Sequence, residues 1–153
     1  MKRWTLIAAA GAVLASCATT PPVLIPFENS TTIPLSKDEV WSNLVEYFAT
    51  SSISIKTIEK DSGIIYAERM LAGAAEISSV ASCGSSFMSP SVGATADLNV
   101  FVREQPGGGS RVTVTTNFRE IRSNALADGQ LSTVRCNSIG VMEAAILNAA
   151  AER

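Results

Sequence analysis

Thiols, carboxylates, guanidinium groups and serine hydroxyls are the side chains weighed for chemistry in this sequence, which contains no histidine. That absence removes His-dependent triads, imidazole metal ligands and imidazole acid–base catalysis. The 3 cysteines, Cys17, Cys83 and Cys136, include no Cys-x-x-Cys spacing, so a redox-active dithiol motif is not expected. Carboxylates near the two hairpins, Glu59 with Asp61 at the first and Asp97 with Glu104 at the central one, fall at positions read as turns or exposed strand faces. Solvated surface charge is the reading for all of them. Arg103, Arg111 and Arg119 fit either an anion-binding stripe or cross-strand pairing with Asp97 and Glu120, and pairing is the simpler account. Gly107-Gly108-Gly109 lacks the Gly-Lys-Ser/Thr ending of a phosphate loop and leads into a strand, which makes it a hairpin loop. No catalytic set, cofactor or metal site is expected. A hydrolase built on Ser and carboxylates alone is the remaining enzymatic option.

The elements that position these residues begin with a targeting segment. Lys2 and Arg3 precede an apolar run, Trp4 to Val13, that is too short to span a bilayer at about 1.5 Å per residue. The small residues Ala15 and Ser16 follow, which completes the layout of a secretory signal over residues 1–16. Leu14-Ala15-Ser16-Cys17 resembles the bacterial lipobox at all four positions. The resemblance implies a lipidated Cys17, cleavage before it and acylation of the new amine, with several acyl chains making the anchor stable. Ala18 stands where lipoproteins retained at the inner membrane often carry Asp, so the resemblance implies the periplasmic face of the outer membrane.

With Cys17 so assigned, Cys83 and Cys136 remain in an oxidising compartment, where a disulfide between them is expected. Two free buried thiols are the alternative. On this assignment a nucleophilic thiolate or a Cys₄ zinc site is not expected.

The chain has 153 residues, and removing the first 16 leaves 137, enough for one domain. Losing Lys2 and Arg3 leaves 10 Lys and Arg against 14 Asp and Glu, a balance of −4. Nothing there favours nucleic acid, which needs clustered cations.

Residues 17–29, with Pro21, Pro22 and Pro26, read as a stiff spacer that lifts the domain off the membrane. Val23, Leu24, Ile25 and Phe27 are unusual in a spacer and fit docking on the domain or a partner. Residues 30–153 read as the single domain. Ser30 to Leu35 is a short strand placed at an edge or end by Pro34. Ser36 with Glu39 forms a capping box for a helix whose apolar face is Val40, Trp41, Leu44, Val45 and Phe48. Ser52 to Lys60 and Ile64 to Met70 flank an Asp61-Ser62-Gly63 turn, and the second strand is read as continuing through Glu76, Ile77 and Val80. Ala81 to Thr95 reads as a flexible, mostly solvated loop with Phe87 and Met88 as its large apolar residues. Ala96 to Glu104 and Arg111 to Ile121 alternate as a hairpin with Leu98, Val100, Val102, Val112, Val114 and Phe118 on the buried face. Arg122 to Arg135 reads as a polar loop. A last helix follows Cys136, capped by Asn137 or Ser138.

The predicted class is α+β in two layers, an antiparallel sheet of four to five strands packed against two helices. The disulfide is then expected to tie the start of the last helix to the loop before the central hairpin. The run Thr32 to Trp41, with the turn Asp61 to Ile65, resembles the opening of helix-grip-like domains. Such domains occur in the lipoprotein C subunit of the outer-membrane β-barrel assembly machinery. That resemblance carries architecture and no functional residue. The expected function is a non-enzymatic, membrane-anchored module that binds another envelope protein or supports envelope assembly. Its alternative is carriage of a small apolar ligand or lipid in a cavity lined by Trp41, Phe48, Phe101 or Phe118.

Overall fold

The computed structural model describes residues 19–152; the signal segment 1–16 and Cys17 lie outside the described residues. After an extended segment comes β1 (Ser30–Ile33), then α1 (Lys37–Thr50). The Ser36 side chain accepts from the Glu39 amide, and the Glu39 carboxylate accepts from the Ser36 amide at 2.9 Å, which closes the capping box. Val40, Trp41, Leu44 and Phe48 are buried along one stripe of this helix, as three-and-four spacing requires. β2 (Ser54–Glu59) and β3 (Ile64–Leu71) form the first hairpin, and its buried face is Ile65, Ala67 and Leu71. A short helix α2 (Ala74–Val80) leads into β4 (Ala81–Ser82). Two long strands, β5 (Ser91–Glu104) and β6 (Ser110–Asn124), precede β7 (Gln130–Ser138) and α3 (Val141–Ala151).

The strands form one sheet in the order β2-β3-β5-β6-β7-β4, every pairing antiparallel, and β1 pairs with β6 as well. β1 takes residues 110–113 of β6 and β7 takes residues 118–124, so the two strands divide the length of β6 between them. α1 and α3 pack together, with Asn43 Nδ2 donating to the Ala150 carbonyl at 3.2 Å. The core lies between these helices and the inner sheet face, where Leu44, Phe48, Ile65, Leu98, Val100, Val114 and Ile146 are fully or almost fully buried. No helix among the described residues is long and apolar enough to cross a membrane.

The α+β two-layer class agrees with the expectation, but the described residues hold seven strands and three helices rather than four to five and two. The two extra strands, β4 and β7, fall in polar stretches expected as loop, and the extra helix, α2, falls where a strand is expected to continue. Residues 74–80 are a helix and not the continuation of β3. Gly73, at φ +82°, turns the chain, and Glu76 folds back to accept from the Ala72 amide at 2.8 Å and to pair with Arg69 at 3.0 Å. Ile77 and Val80 are then buried together by their spacing of three.

Residues 122–135 are strand rather than loop around a short turn. Ladder hydrogen bonds satisfy the backbone there whatever the side chains are, so low hydrophobicity hid the strands. The same ladder extends into the expected 81–95 loop: the carbonyls of Met88 and Pro90 accept from Ala125 and Ser123 at 2.9 and 3.0 Å. The last helix begins later than expected, after Gly140 in the left-handed region, and Cys136 lies inside β7.

Candidate functional site

Alternate residues of β6 face the helices. Val112, Val114 and Phe118 supply the apolar part of that face, with Ser110 buried at its start, and Glu120 and Arg122 continue it with charge, at only 5% and 8% exposure. A buried ion needs a partner and hydrogen bonds to offset lost hydration. Arg122 has both: its Nε donates to Glu120 Oε2 at 2.6 Å, and Nη2 donates to the carbonyls of Cys83 and Gly84 at 2.8 and 3.1 Å.

Cys83 is bonded to Cys136, as expected, with 53 residues separating them. The bridge joins β7 to the segment just after β4, not to the start of the last helix. Arg122 from one side and the disulfide from the other therefore hold Cys83-Gly84 as a fixed shelf.

The start of the described chain rests on that shelf. Thr20 and Ser85 exchange two backbone hydrogen bonds, at 3.0 and 2.9 Å. Gly84 is needed beneath them, because a Cβ there would come 2.1 Å from the Thr20 carbonyl oxygen. The Val23 amide then donates to Ser82 Oγ at 2.8 Å, and the Asn29 carbonyl accepts from the Val114 amide at 2.8 Å. Phe27 covers Gly140, where a Cβ would lie 2.7 Å from the phenylalanine side chain. Residues 20–29 are thus fastened along the domain rather than standing clear of it. Val23, Leu24 and Ile25 remain exposed.

A second buried polar knot ties α3 to the sheet. Glu143, 1% exposed, accepts from Thr116 Oγ1 and from Ser138 Oγ, the latter at 2.8 Å. Ser138 Oγ also accepts from the Gly140 amide at 3.1 Å, which fixes the turn into α3.

Cys83, Glu120 and Cys136 converge closely enough to suggest a metal site. The two sulfurs are bonded to each other and offer no thiolate, and the Arg122 guanidinium occupies the Glu120 carboxylate. The cluster is a structural clamp.

The remaining candidate residues are separated. Asp97 faces the outer side of the sheet but is only 9% exposed, covered by Arg119 at 2.7 Å and by the Tyr66 hydroxyl at 3.2 Å. Glu104 lies far along the same strand from Asp97. It shares a surface depression of about 300 Å³ with Asp61, Lys37 and Arg103, so the charges there are mixed in sign. Glu59 is exposed at the end of β2. The three arginines are tied separately: Arg119 to Asp97, Arg111 Nε to Ser30 Oγ at 3.0 Å, and Arg103 over the Phe101 ring at 5.2 Å. Glu120, the other expected partner, pairs inward with Arg122. Gly107–Gly109 close the β5–β6 hairpin, with the Gln105 amide donating to the Gly109 carbonyl at 3.0 Å. Trp41, Phe48 and Phe118 are core residues, whereas Phe101 lies on the opposite sheet face from them and is half-exposed.

The carboxylate of Asp97 acts on Tyr66 first through their hydrogen bond and then through its charge, and both hold the phenol proton on above the ordinary value of 10.0. Ultraviolet titration of tyrosinate is expected to show one tyrosine ionising later than normal. The Asp97→Asn variant should bring that step back toward the ordinary range, and an unchanged titration would contradict the assignment.

Glu120, Arg122 and Glu143 were not singled out from sequence as buried. The period-two run from Val112 through Phe118 continues onto Glu120 and Arg122, and extending it was the signal that could have found them. No protein-family model, curated protein or solved structure matches this chain.

Proposed function

We propose that the chain is a bacterial outer-membrane lipoprotein, anchored through Cys17 on the periplasmic side, whose domain is a non-enzymatic module for binding another envelope protein or supporting envelope assembly. The observation that carries this reading is the fastened segment that follows the lipobox. Only Ala18 and Thr19 separate Cys17 from the Thr20–Ser85 bridge. A lipid on Cys17 would therefore sit beside the disulfide-braced shelf, and the domain would be held close to its membrane. The disulfide fits an oxidising compartment. The buried charges are consumed by structural partners, which leaves binding as the better account than catalysis. The layout of α1 and α3 side by side on one face of an antiparallel sheet supports a helix-grip-like description.

The test is direct. Mass spectrometry of the mature N-terminal peptide from bacterial membranes is expected to show Cys17 at the new terminus carrying thioether-linked diacylglycerol and an amide-linked acyl chain. Cys17→Ser should remain uncleaved at that site and lose the acylated species. An unmodified Cys17 in the mature protein would end the anchor reading. Crosslinking in intact envelopes should recover a specific protein partner, and recovery of none would end the binding reading.

A further inference from the structure

Three apolar side chains stand out as exposed at one end of the sheet: Phe87 at 93%, Leu126 at 76% and Leu131 at 64%. Their segments meet at that end. Leu131 pairs with Ser123 at the far end of the β6–β7 hairpin, and Leu126 is in the turn that joins these strands. Phe87 adjoins Met88, whose carbonyl accepts from Ala125, the neighbour of Leu126. The segments that form this tip, residues 83–92 and 123–132, carry a single charged side chain, Asp128. Other exposed apolar residues lie on other elements: Ile58 on β2, Met70 on β3 and Val141 on α3 stand singly, as is ordinary, and Val23, Leu24 and Ile25 form a run on the extended segment that leads away from the tip.

The position of the chain's start identifies the occupant of this patch. Thr20 is bridged to Ser85, two residues from Phe87. Three residues of fully extended chain reach at most about 11 Å, so Cys17 lies within that distance of Thr20. From Thr20 the chain runs away from the tip, through Val23 at Ser82 and Asn29 at Val114, into β1. A lipid on Cys17 would therefore enter the membrane within that reach of the Thr20–Ser85 bridge, two residues from Phe87. Acyl chains on Cys17 would hold this end against the bilayer interface, where exposed apolar side chains gain by burial to a depth of about 5–10 Å.

We infer that the Phe87–Leu126–Leu131 tip is a membrane-seating surface that inserts into the acyl-chain boundary beside the anchor and sets the orientation of the domain. The inference rests on the reading of Cys17 as the lipidated residue. Without Lys or Arg at the tip, seating is hydrophobic and independent of anionic lipid. The outer sheet face and the helix layer then remain available to a protein partner.

The experiment uses the full chain, processed and purified from bacterial membranes and reconstituted into phosphatidylethanolamine–phosphatidylglycerol vesicles. Tryptophan is introduced singly as Phe87→Trp, Leu126→Trp or, for comparison, Ile58→Trp, and the emission of the buried Trp41 is subtracted. Replacing the lipids by acyl-brominated ones should reduce the added emission of both tip variants about twofold or more, and leave Ile58→Trp unchanged, as interfacial burial requires. The difference should persist from ~0.1 to ~1 M salt, since no charge attraction is involved. Tip tryptophans quenched by aqueous iodide and untouched by bromolipid would overturn the inference. Tip tryptophans shielded from both quenchers would indicate a covering protein and would also overturn it. The state of Cys17 is read by mass spectrometry on the same samples. Acylated Cys17 with unquenched tips defeats the seating surface and leaves the anchor reading intact. Unmodified Cys17 defeats the anchor reading, while bromolipid quenching of vesicle-mixed protein would still uphold the seating surface and its absence would overturn it.

Discussion

Arg122→Ala is expected to destabilise the domain by about 3–5 kcal/mol, the usual cost of removing one member of a buried ion pair. Glu120 would be left 5% exposed without its counter-ion, and the Cys83 and Gly84 carbonyls would lose their donor. The loss is large beside the 5–15 kcal/mol typical of a whole domain, roughly stated. Urea denaturation should show a much lower midpoint at nearly unchanged slope. The double variant Glu120→Leu with Arg122→Met is expected to recover most of the loss, because an apolar pair of similar volume carries no buried charge. If Arg122→Ala costs under about 1 kcal/mol, as exposed pairs do, the pair is solvated in solution and the shelf is not built on it.

Removing the disulfide is the second large effect. Cys83 and Cys136 are 53 residues apart, and closing a loop of that length restricts the unfolded chain by about 4 kcal/mol in the chain-entropy treatment. The double variant Cys83→Ser with Cys136→Ser should lower the thermal midpoint correspondingly. Reductant should do the same to the parent protein and have no effect on the variant. The loss should also be felt locally. Thr20 and Ser85 exchange backbone hydrogen bonds on the shelf that the bridge helps to hold, so their amide hydrogens should exchange faster when the bridge is absent. Unchanged exchange there would mean that Arg122 alone positions the shelf.

Much of the fold was legible where one short-range rule decided the outcome. The Ser36–Glu39 capping box is a spacing of three, and the structure closes it. Leu98, Val100, Val102, Val112, Val114 and Phe118 alternate because a one-faced sheet requires it, and all six are buried. Elsewhere the deciding contact was distant or polar. Ile77 and Val80 alone are too few to set a period over so short a run, although only a helix brings a spacing of three to one face, and Glu76, folding back to the Ala72 amide, belongs to that helix. β7 has little apolar content to reveal it, and its place in the sheet comes from its backbone pairing with β6.

The candidate site divides in the same way. From residue types came the lipobox resemblance at Leu14-Ala15-Ser16-Cys17, the pairing expected of Cys83 and Cys136, and the exclusion of histidine chemistry. The structure agrees on the disulfide. It differs on what surrounds it: Glu120 and Glu143 are buried, and residues 20–29 are fastened rather than free. The sequence alone determined the amphipathic patterns and the cysteine inventory, because periodicity and composition are properties of neighbouring residues and of counts. Only the tertiary structure decided that Arg122 clamps Cys83-Gly84, that Thr20 rests on that shelf, and that the segments of Phe87 and Leu126 meet at one end of the sheet. Those relations join residues tens of positions apart, and their energies exist only once the sheet has brought the partners into contact.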